Sequence, residues 1–171
     1  MTATGRAKTL SAEQMKSAIR RFIEEAVNKG DLSVVDDVYS EDFVDHDLGH
    51  PDFGTGTEAV RREVRFYRKG FPDIHQEIHE LLADGDVVVN RWTTTGTHLG
   101  EFAGMPATGK RMTSRGLTLS RFGPEGKVVE VYNVYDRFAW MQQWGLKGWF
   151  WAVVKRSWRY SQTADPTPGR D

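Results

Sequence analysis

Asp45-His46-Asp47 sets an imidazole between two carboxylates. A histidine in such company can act as a general base near neutral pH, one ring nitrogen held by a carboxylate and the other offered to a substrate. Neighbours along an extended chain point to opposite sides, so only Asp45 or Asp47 could orient His46, not both. The triplet would also suit a polar loop that hydrogen-bonds its own backbone. His46 is still the strongest catalytic candidate in the chain. His75, Glu77 and His79 share one face of an extended segment at about 6.6 Å between neighbours, a spacing at which two imidazoles and a third group can hold zinc. Ile74, Ile78 and Leu82 take the opposite, core-like face. The histidine face is therefore expected to meet solvent or another subunit, and no metal is expected.

A third constellation lies late in the chain. Asn133 and Tyr135 fall on one face of a strand together with Val129 and Val131. If that face is internal, the Asn133 amide can donate to a ligand carbonyl or a developing enolate, and Tyr135 can add a hydroxyl. Trp92, Thr94 and Thr118 are further wall candidates, since a small-molecule site needs apolar walls with a few polar groups. His98 and Glu101 sit in a Gly-rich loop and are expected to be structural, His98 as a satisfied strand-end residue.

The elements that would position these groups are legible in the periodicity. Ser11 with Gln14 makes a capping box. Met15, Ala18, Ile19, Phe22, Ile23, Ala26 and Val27 then repeat as one buried helical stripe, and Gly30 suits the left-handed position after it. Asp31 can cap a short helix through Val38. A third helix follows Thr57, with Val60, Val64 and Tyr67 on one side, and ends at Gly70. The period then changes to two: a strand with Ile74, Ile78 and Leu82 inward runs to the Asp84-Gly85-Asp86 turn. Further strands are expected over Val87–His98, Arg111–Phe122 and Val128–Tyr135. Helices first and antiparallel strands afterwards indicate an α+β fold, a curved sheet wrapped around the amphipathic N-terminal helix.

The chain has 171 residues, enough for one domain with a real core. Its formal net charge of −1 gives no electrostatic case for nucleic acid. With no cysteine, disulfides and thiolate chemistry are excluded. No apolar run of signal-peptide type or of membrane-spanning length occurs, so a cytoplasmic location is expected.

The segment from Arg91 to Gly145 resembles the SnoaL-like polyketide cyclases of the NTF2-like superfamily. The resemblance is carried by the GTHLGEFAGMPATGK loop, by the Pro124-Glu125-Gly126-Lys127 turn, and by a last strand reaching Asp136 before a short helix that closes on Gly145. It implies an NTF2-like cone with a deep pocket, used without a cofactor for acid–base chemistry on hydrophobic, polyketide-like molecules. Known members close rings by intramolecular aldol reaction, and relatives take part in hydroxylation. It also implies a homodimer through the outer sheet face. The implied mechanism uses an aspartate on the last strand as general base, assisted by a histidine on the strand before. Aligned on Asp136 and Gly145, those two positions hold Asn133 and Thr118 in this chain, and neither takes a proton at neutral pH. Asp136 is expected to cap the closing helix rather than replace the base.

The domain reading is a flexible tail over residues 1–10, the SnoaL-like domain over 11–146 and a C-terminal extension over 147–171. The tryptophan- and arginine-rich stretch from Trp144 to Tyr160 is expected to pack on the pocket mouth or a second subunit, with membrane binding as the competing reading. The expected function is a cyclase- or isomerase-type enzyme of secondary metabolism. The alternatives are a noncatalytic small-molecule binding protein of the same fold and a hydroxylase-type relative.

Overall fold

The structure, a computed structural model, describes residues 10–47 and 53–145. The N-terminal helix α1 covers Ala12–Phe22. Ser11 Oγ accepts from the Gln14 backbone N–H, and Gln14 Oε1 accepts from that of Ser11, so the capping box satisfies two donors that a bare helix start would leave open. The helix passes directly into a π-helical turn, Ile23–Asn28. Val27 and Asn28 there lend their carbonyl oxygens to the Arg68 guanidinium at 2.9 and 3.0 Å. A charged donor thus takes the place of the next helical turn. Gly30 follows at φ 80°, a conformation that strains other residues, and a Cβ there would stand 2.8 Å from the Arg68 side chain.

A 3-10 turn, Leu32–Val34, is capped by Asp31 and leads to the single-turn helix α2, Val35–Val38. Strand β1, Tyr39–Asp45, follows at once. Helix α3, Gly56–Gly70, precedes three hairpin-connected strands, β2 His75–Asp84, β3 Val87–Thr97 and β4 Arg111–Phe122, then β5 Val128–Tyr135 and the short helix α4, Arg137–Gln142. The sheet order is β1-β5-β4-β3-β2. Among the described strands only the β1–β5 pair is parallel. The result is the expected α+β cone, a curved mixed sheet closed on its concave side by α1 and α3.

Two apolar clusters hold the layers together. The larger joins Met15, Ile19, Phe22 and Ala26 to Val34, Val38, Phe43, Val60, Val88 and Val131, with Tyr39 wedged edge-on between Phe22 and Phe43. The smaller gathers Phe71, Ile74, Phe102, Met105, Met112 and Trp144, which clamps α4 and the loop after β3 onto the end of α3.

Two expectations about strand faces need correction. Ile78 stands opposite Trp92 but Glu80 opposite Arg91, so a bulge at His79 advances β2 by one residue. Beyond it Leu81 and Ala83 face the core, and Leu82 is 67% exposed. β5 has a similar irregularity near Val129, because Phe122 pairs with Val128 and Arg121 with Glu130. Val128, not Val129, is therefore the fully buried residue. In both strands an extra residue reverses the parity that simple alternation assumes. β1 is a further departure, since the sequence reading assigned no strand between the second and third helices.

Among the described residues no helix is long and apolar enough to cross a membrane, and no three His, Asp or Glu side chains converge as a metal site would require.

Candidate functional site

Between the concave sheet face, α1 and α3 lies a cavity of about 180 Å³. An apolar protein cavity of about 150 Å³ is enough to take up benzene, so this one has room for a ring-bearing molecule. Phe22 and Ile23 of the N-terminal helical segment, Tyr39 and Phe43 of β1, and Val64 and Phe71 at α3 supply apolar wall. The floor is more polar: Gln76, Asn90, Thr94, Ser114 and Ser120 reach it from β2, β3 and β4.

All four residues expected to bind substrate line this space: Trp92, Thr118, Asn133 and Tyr135. Three of them form a hydrogen-bonded chain. The Trp92 indole N–H donates to Thr118 Oγ1 at 2.8 Å. Thr118 in turn donates its hydroxyl hydrogen to Asn133 Oδ1 at 2.6 Å. The residues come together because Thr118 is directly opposite Asn133 in the β4–β5 register, while Trp92 lies opposite Gly116 in the β3–β4 register. Gly116 carries no Cβ, which would otherwise stand 2.6 Å from the Trp92 ring. With Oδ1 engaged, the Asn133 amide nitrogen is the part of the side chain left to donate into the cavity.

Tyr135 sits two residues beyond Asn133 on the same face and shares a side-chain hydrogen bond with Tyr67 of α3. Burial is the main cause that pushes both phenols above the usual tyrosine range, and the nearby Glu63 and Asp45 charges push the same way. Both hydroxyls are therefore protonated donors at neutral pH. The Arg137 guanidinium lies 4.9 Å above the Tyr135 ring and pairs with Asp47. Asp47 is thus committed to fastening the start of α4 to the rim. Gln143 completes the fastening, accepting from the Thr113 N–H and donating to the Thr113 carbonyl at 2.8 Å each. Trp140 of α4 reaches the cavity wall.

His46 is placed elsewhere. Its ring stacks on Tyr132, with centroids 4.3 Å apart, and Nε2 lies 3.9 Å from Glu130. Glu130 and Tyr132 alternate with Val131 and Asn133, so they project from the opposite side of β5. His46 does not line the cavity, and Asp45 and Asp47 do not orient it there; Asp45 Oδ1 accepts from the Asp47 N–H in a local turn. His75, Glu77 and His79 are exposed on the outer side of β2. Asp136 caps α4 by accepting from the Ala139 N–H at 2.8 Å.

His98 departs from its expected role as a satisfied residue. It is fully buried, its Nδ1 meets Thr108 Oγ1 at 3.1 Å, and its Nε2 has no hydrogen-bond partner among the described residues. Phe71 and Trp144 stack on either side of it, at 5.2 and 6.2 Å between centroids. Desolvation by this packing holds its pKa below the usual histidine value. Trp144 is buried here, while the whole proposed C-terminal extension, residues 147–171, lies outside the described residues, as do residues 1–9 of the N-terminal tail.

The sequence reading missed Glu63 and Tyr67 as cavity residues, although both line it. The signal was available. Val60, Glu63, Val64 and Tyr67 follow the i, i+3, i+4, i+7 spacing of one helical face, so a carboxylate interrupts an otherwise inward-facing stripe.

A family model described as SnoaL-like polyketide cyclase matches residues 17–144. Among solved structures, AclR from Streptomyces galilaeus, a proposed hydroxylase, is 29% identical over 79% of this chain and 98% of its own, with a TM-score of 0.68. IdmH from Streptomyces antibioticus, a proposed polyketide cyclase, is 30% identical over 78% of this chain and 99% of its own, with a TM-score of 0.64. A proposed polyketide cyclase from Bacillus cereus is 30% identical over 80% of this chain and 86% of its own, also with a TM-score of 0.64. No curated protein matches the chain by sequence.

Proposed function

Because the chain belongs to the SnoaL-like polyketide cyclase family, we propose that it binds a hydrophobic, polyketide-like molecule in the cavity and performs cofactor-independent acid–base chemistry on it, of cyclase or isomerase type. The observation that carries this reading is the Trp92–Thr118–Asn133 chain inside a cavity whose walls are largely apolar. Such a chain fixes one amide donor where a ligand oxygen would sit, and fixed donors in a low-dielectric pocket favour an oxygen that gains negative charge. Asn133 and Tyr135 bind that oxygen; Trp92 and Thr118 hold Asn133 and complete the wall.

Native mass spectrometry of the protein from its own host tests this. A co-purifying aromatic or polycyclic molecule, displaced by Asn133→Leu, is the expected result. Protein that emerges empty and binds no aromatic ketone or phenol in titration would remove the reading.

One observation favours a second reading, a noncatalytic binding protein: Asn133 and Thr118 stand where the family resemblance expects a base and its assistant, and neither accepts a proton. Turnover by the purified protein of any ligand it carries would exclude it. The likeness to AclR keeps a hydroxylase-type reaction as a third reading, tested by whether oxygen is consumed with that ligand.

A homodimer in the cytoplasm completes the proposal. Leu117, Tyr132 and Val134 are exposed on the outer sheet face, with Leu117 opposite Val134 in register, and a second copy would cover them. Light scattering should give a dimer mass, and Leu117→Glu should reduce it to that of a monomer.

A further inference from the structure

Any proton transfer inside the cavity needs an acceptor that works at neutral pH, and the wall offers few. Among the described residues that line it there is no histidine, aspartate or lysine, and one carboxylate, Glu63. Arg68 is held by backbone carbonyls, and the tyrosines Tyr39, Tyr67 and Tyr135 all have pKa values above the usual tyrosine range. Glu63 projects from α3 one turn before Tyr67, and Tyr67 bridges the cavity to Tyr135 on β5. Glu63 lines the same cavity as Tyr39, Tyr67 and Tyr135, so its carboxylate shares that space with all three phenols.

Resting on the acid–base reading above, we propose that Glu63 is the proton-transfer residue of this cavity. It takes a proton from the carbon next to a ligand carbonyl, while Asn133 and Tyr135 donate hydrogen bonds to the carbonyl oxygen. The C–H bond breaks and its electron pair becomes the new C=C bond. The carbonyl π electrons move onto oxygen, giving an enolate, and the proton rests on the Glu63 carboxylate. Returning it to carbon restores the ketone; attack of the enolate carbon on a second carbonyl of the same molecule would close a ring, the π pair of that carbonyl moving onto its oxygen, which takes the proton back from Glu63. No oxidant, reductant or metal is needed. The ligand class is thus an aromatic or alicyclic ketone with an acidic α-hydrogen.

The test uses 2-tetralone, a bicyclic ketone, in D2O with the full-length protein. Binding is followed by quenching of tryptophan fluorescence, which Trp92 in the wall should report. Deuterium uptake into the recovered ketone is followed by mass spectrometry. Wild type is expected to bind the ketone and to accelerate exchange above the buffer rate. Glu63→Gln should bind with similar affinity and lose about 100-fold or more of the acceleration, the usual size of a general-base contribution. Glu63→Asp, which keeps a displaced carboxylate, should retain part of it.

Circular dichroism and melting temperature establish that each variant is folded. If Glu63→Gln unfolds, Glu63→Asp and wild type still decide the matter, because equal exchange rates that do not depend on the carboxylate's position overturn the assignment. Full exchange in folded Glu63→Gln also overturns it, as does loss of exchange in His46→Ala with Glu63 intact. Wild type that binds the ketone without accelerating exchange overturns the role of Glu63 and leaves the binding reading standing. Failure of wild type to bind at all removes both.

Discussion

Thr118 donates its hydroxyl hydrogen to Asn133 Oδ1 across 2.6 Å. The two positions that the family resemblance reads as histidine and aspartate are therefore still joined here, by a neutral pair in place of a titratable one. The bond orients an amide and moves no proton. A neutral pair here leaves any base to be sought elsewhere on the wall, and Glu63 is the carboxylate found there.

Thr118→Val keeps the volume of the side chain and deletes the middle of the hydrogen-bonded chain. The Trp92 indole N–H and Asn133 Oδ1 would both lose a buried partner, at a cost of about 1–3 kcal/mol. We expect a lower melting temperature and weaker binding of 2-tetralone. Thr118→Ser, which restores the hydroxyl, should recover most of both. Equal behaviour of the two variants would show that the hydroxyl does not orient Asn133.

Gly116 lies under the Trp92 ring. A Cβ there would come within 2.6 Å of Trp92 and 2.6 Å of the Val134 carbonyl oxygen, closer than unstrained contacts allow. The backbone oxygen cannot swing aside as a side chain would, so the indole or the strand must shift. Gly116→Ala should cost about 1–3 kcal/mol, as overpacking in a close-fitting core does. It should also change the near-ultraviolet circular dichroism and weaken ligand binding through displacement of Trp92. An unchanged spectrum would mean that the indole has room to move without leaving Thr118.

His98 predicts an acid-sensitive fold. Its pKa is lowered by desolvation, so the native state favours the neutral ring and the unfolded chain binds the proton more readily. The stability contribution is present above the unfolded value of about 6.5 and is lost as pH falls through the depressed native value. Melting temperatures at pH 7.5 and pH 5 should therefore diverge in wild type. His98→Phe, in a pocket already lined by Phe71, Phe102 and Trp144, should narrow the gap. A gap unchanged by the substitution would place the acid sensitivity in other groups.

Much of this architecture could be read from the chain. The buried stripe of α1, its capping box, the turn at Asp84–Asp86 and the β4–β5 hairpin all follow local rules of period and turn chemistry, and the structure keeps them. The misreadings share a different cause. The bulges at His79 and near Val129 are set by how a strand must twist to stay in register around the cone, which no window of a few residues contains. β1 is polar along most of its length and is a strand because β5 pairs with it across a separation of some ninety residues. The misplacement of His46 follows from that omission. Once Asp45 is paired with Val131, alternation sends His46 to the far side, onto Tyr132. Asn133, Tyr135, Trp92 and Thr118 line the cavity together because they lie beyond the bulge near Val129, where the register is unbroken and sets Thr118 opposite Asn133 and Gly116 opposite both Trp92 and Tyr135.

Asn133→Asp brings these arguments together. The new carboxyl would stand in a largely apolar enclosure that already holds the Glu63 carboxylate, with Thr118 as one hydrogen-bond donor. Burial and a like charge both favour its neutral form, which raises its native pKa above the unfolded value of about 3.9. For an acid raised in this way, full stability is present below the unfolded pKa and is lost as pH rises through the native one. The variant should therefore melt near wild type at pH 4 and clearly below it at pH 7.5, each unit of upward shift removing about 1.4 kcal/mol. The sign is opposite to that expected for His98, so the two effects separate in a pH series. Chemically, the same substitution supplies a second proton acceptor opposite Glu63. In the double variant with Glu63→Gln, 2-tetralone exchange should recover at high pH, where the new carboxyl is ionised, and stay low at pH 4. A variant that is instead less stable at pH 4 than at pH 7.5 would show that Thr118 and Tyr135 donate strongly enough to hold the carboxylate charged, and the cavity would then be an anion site and not an apolar one.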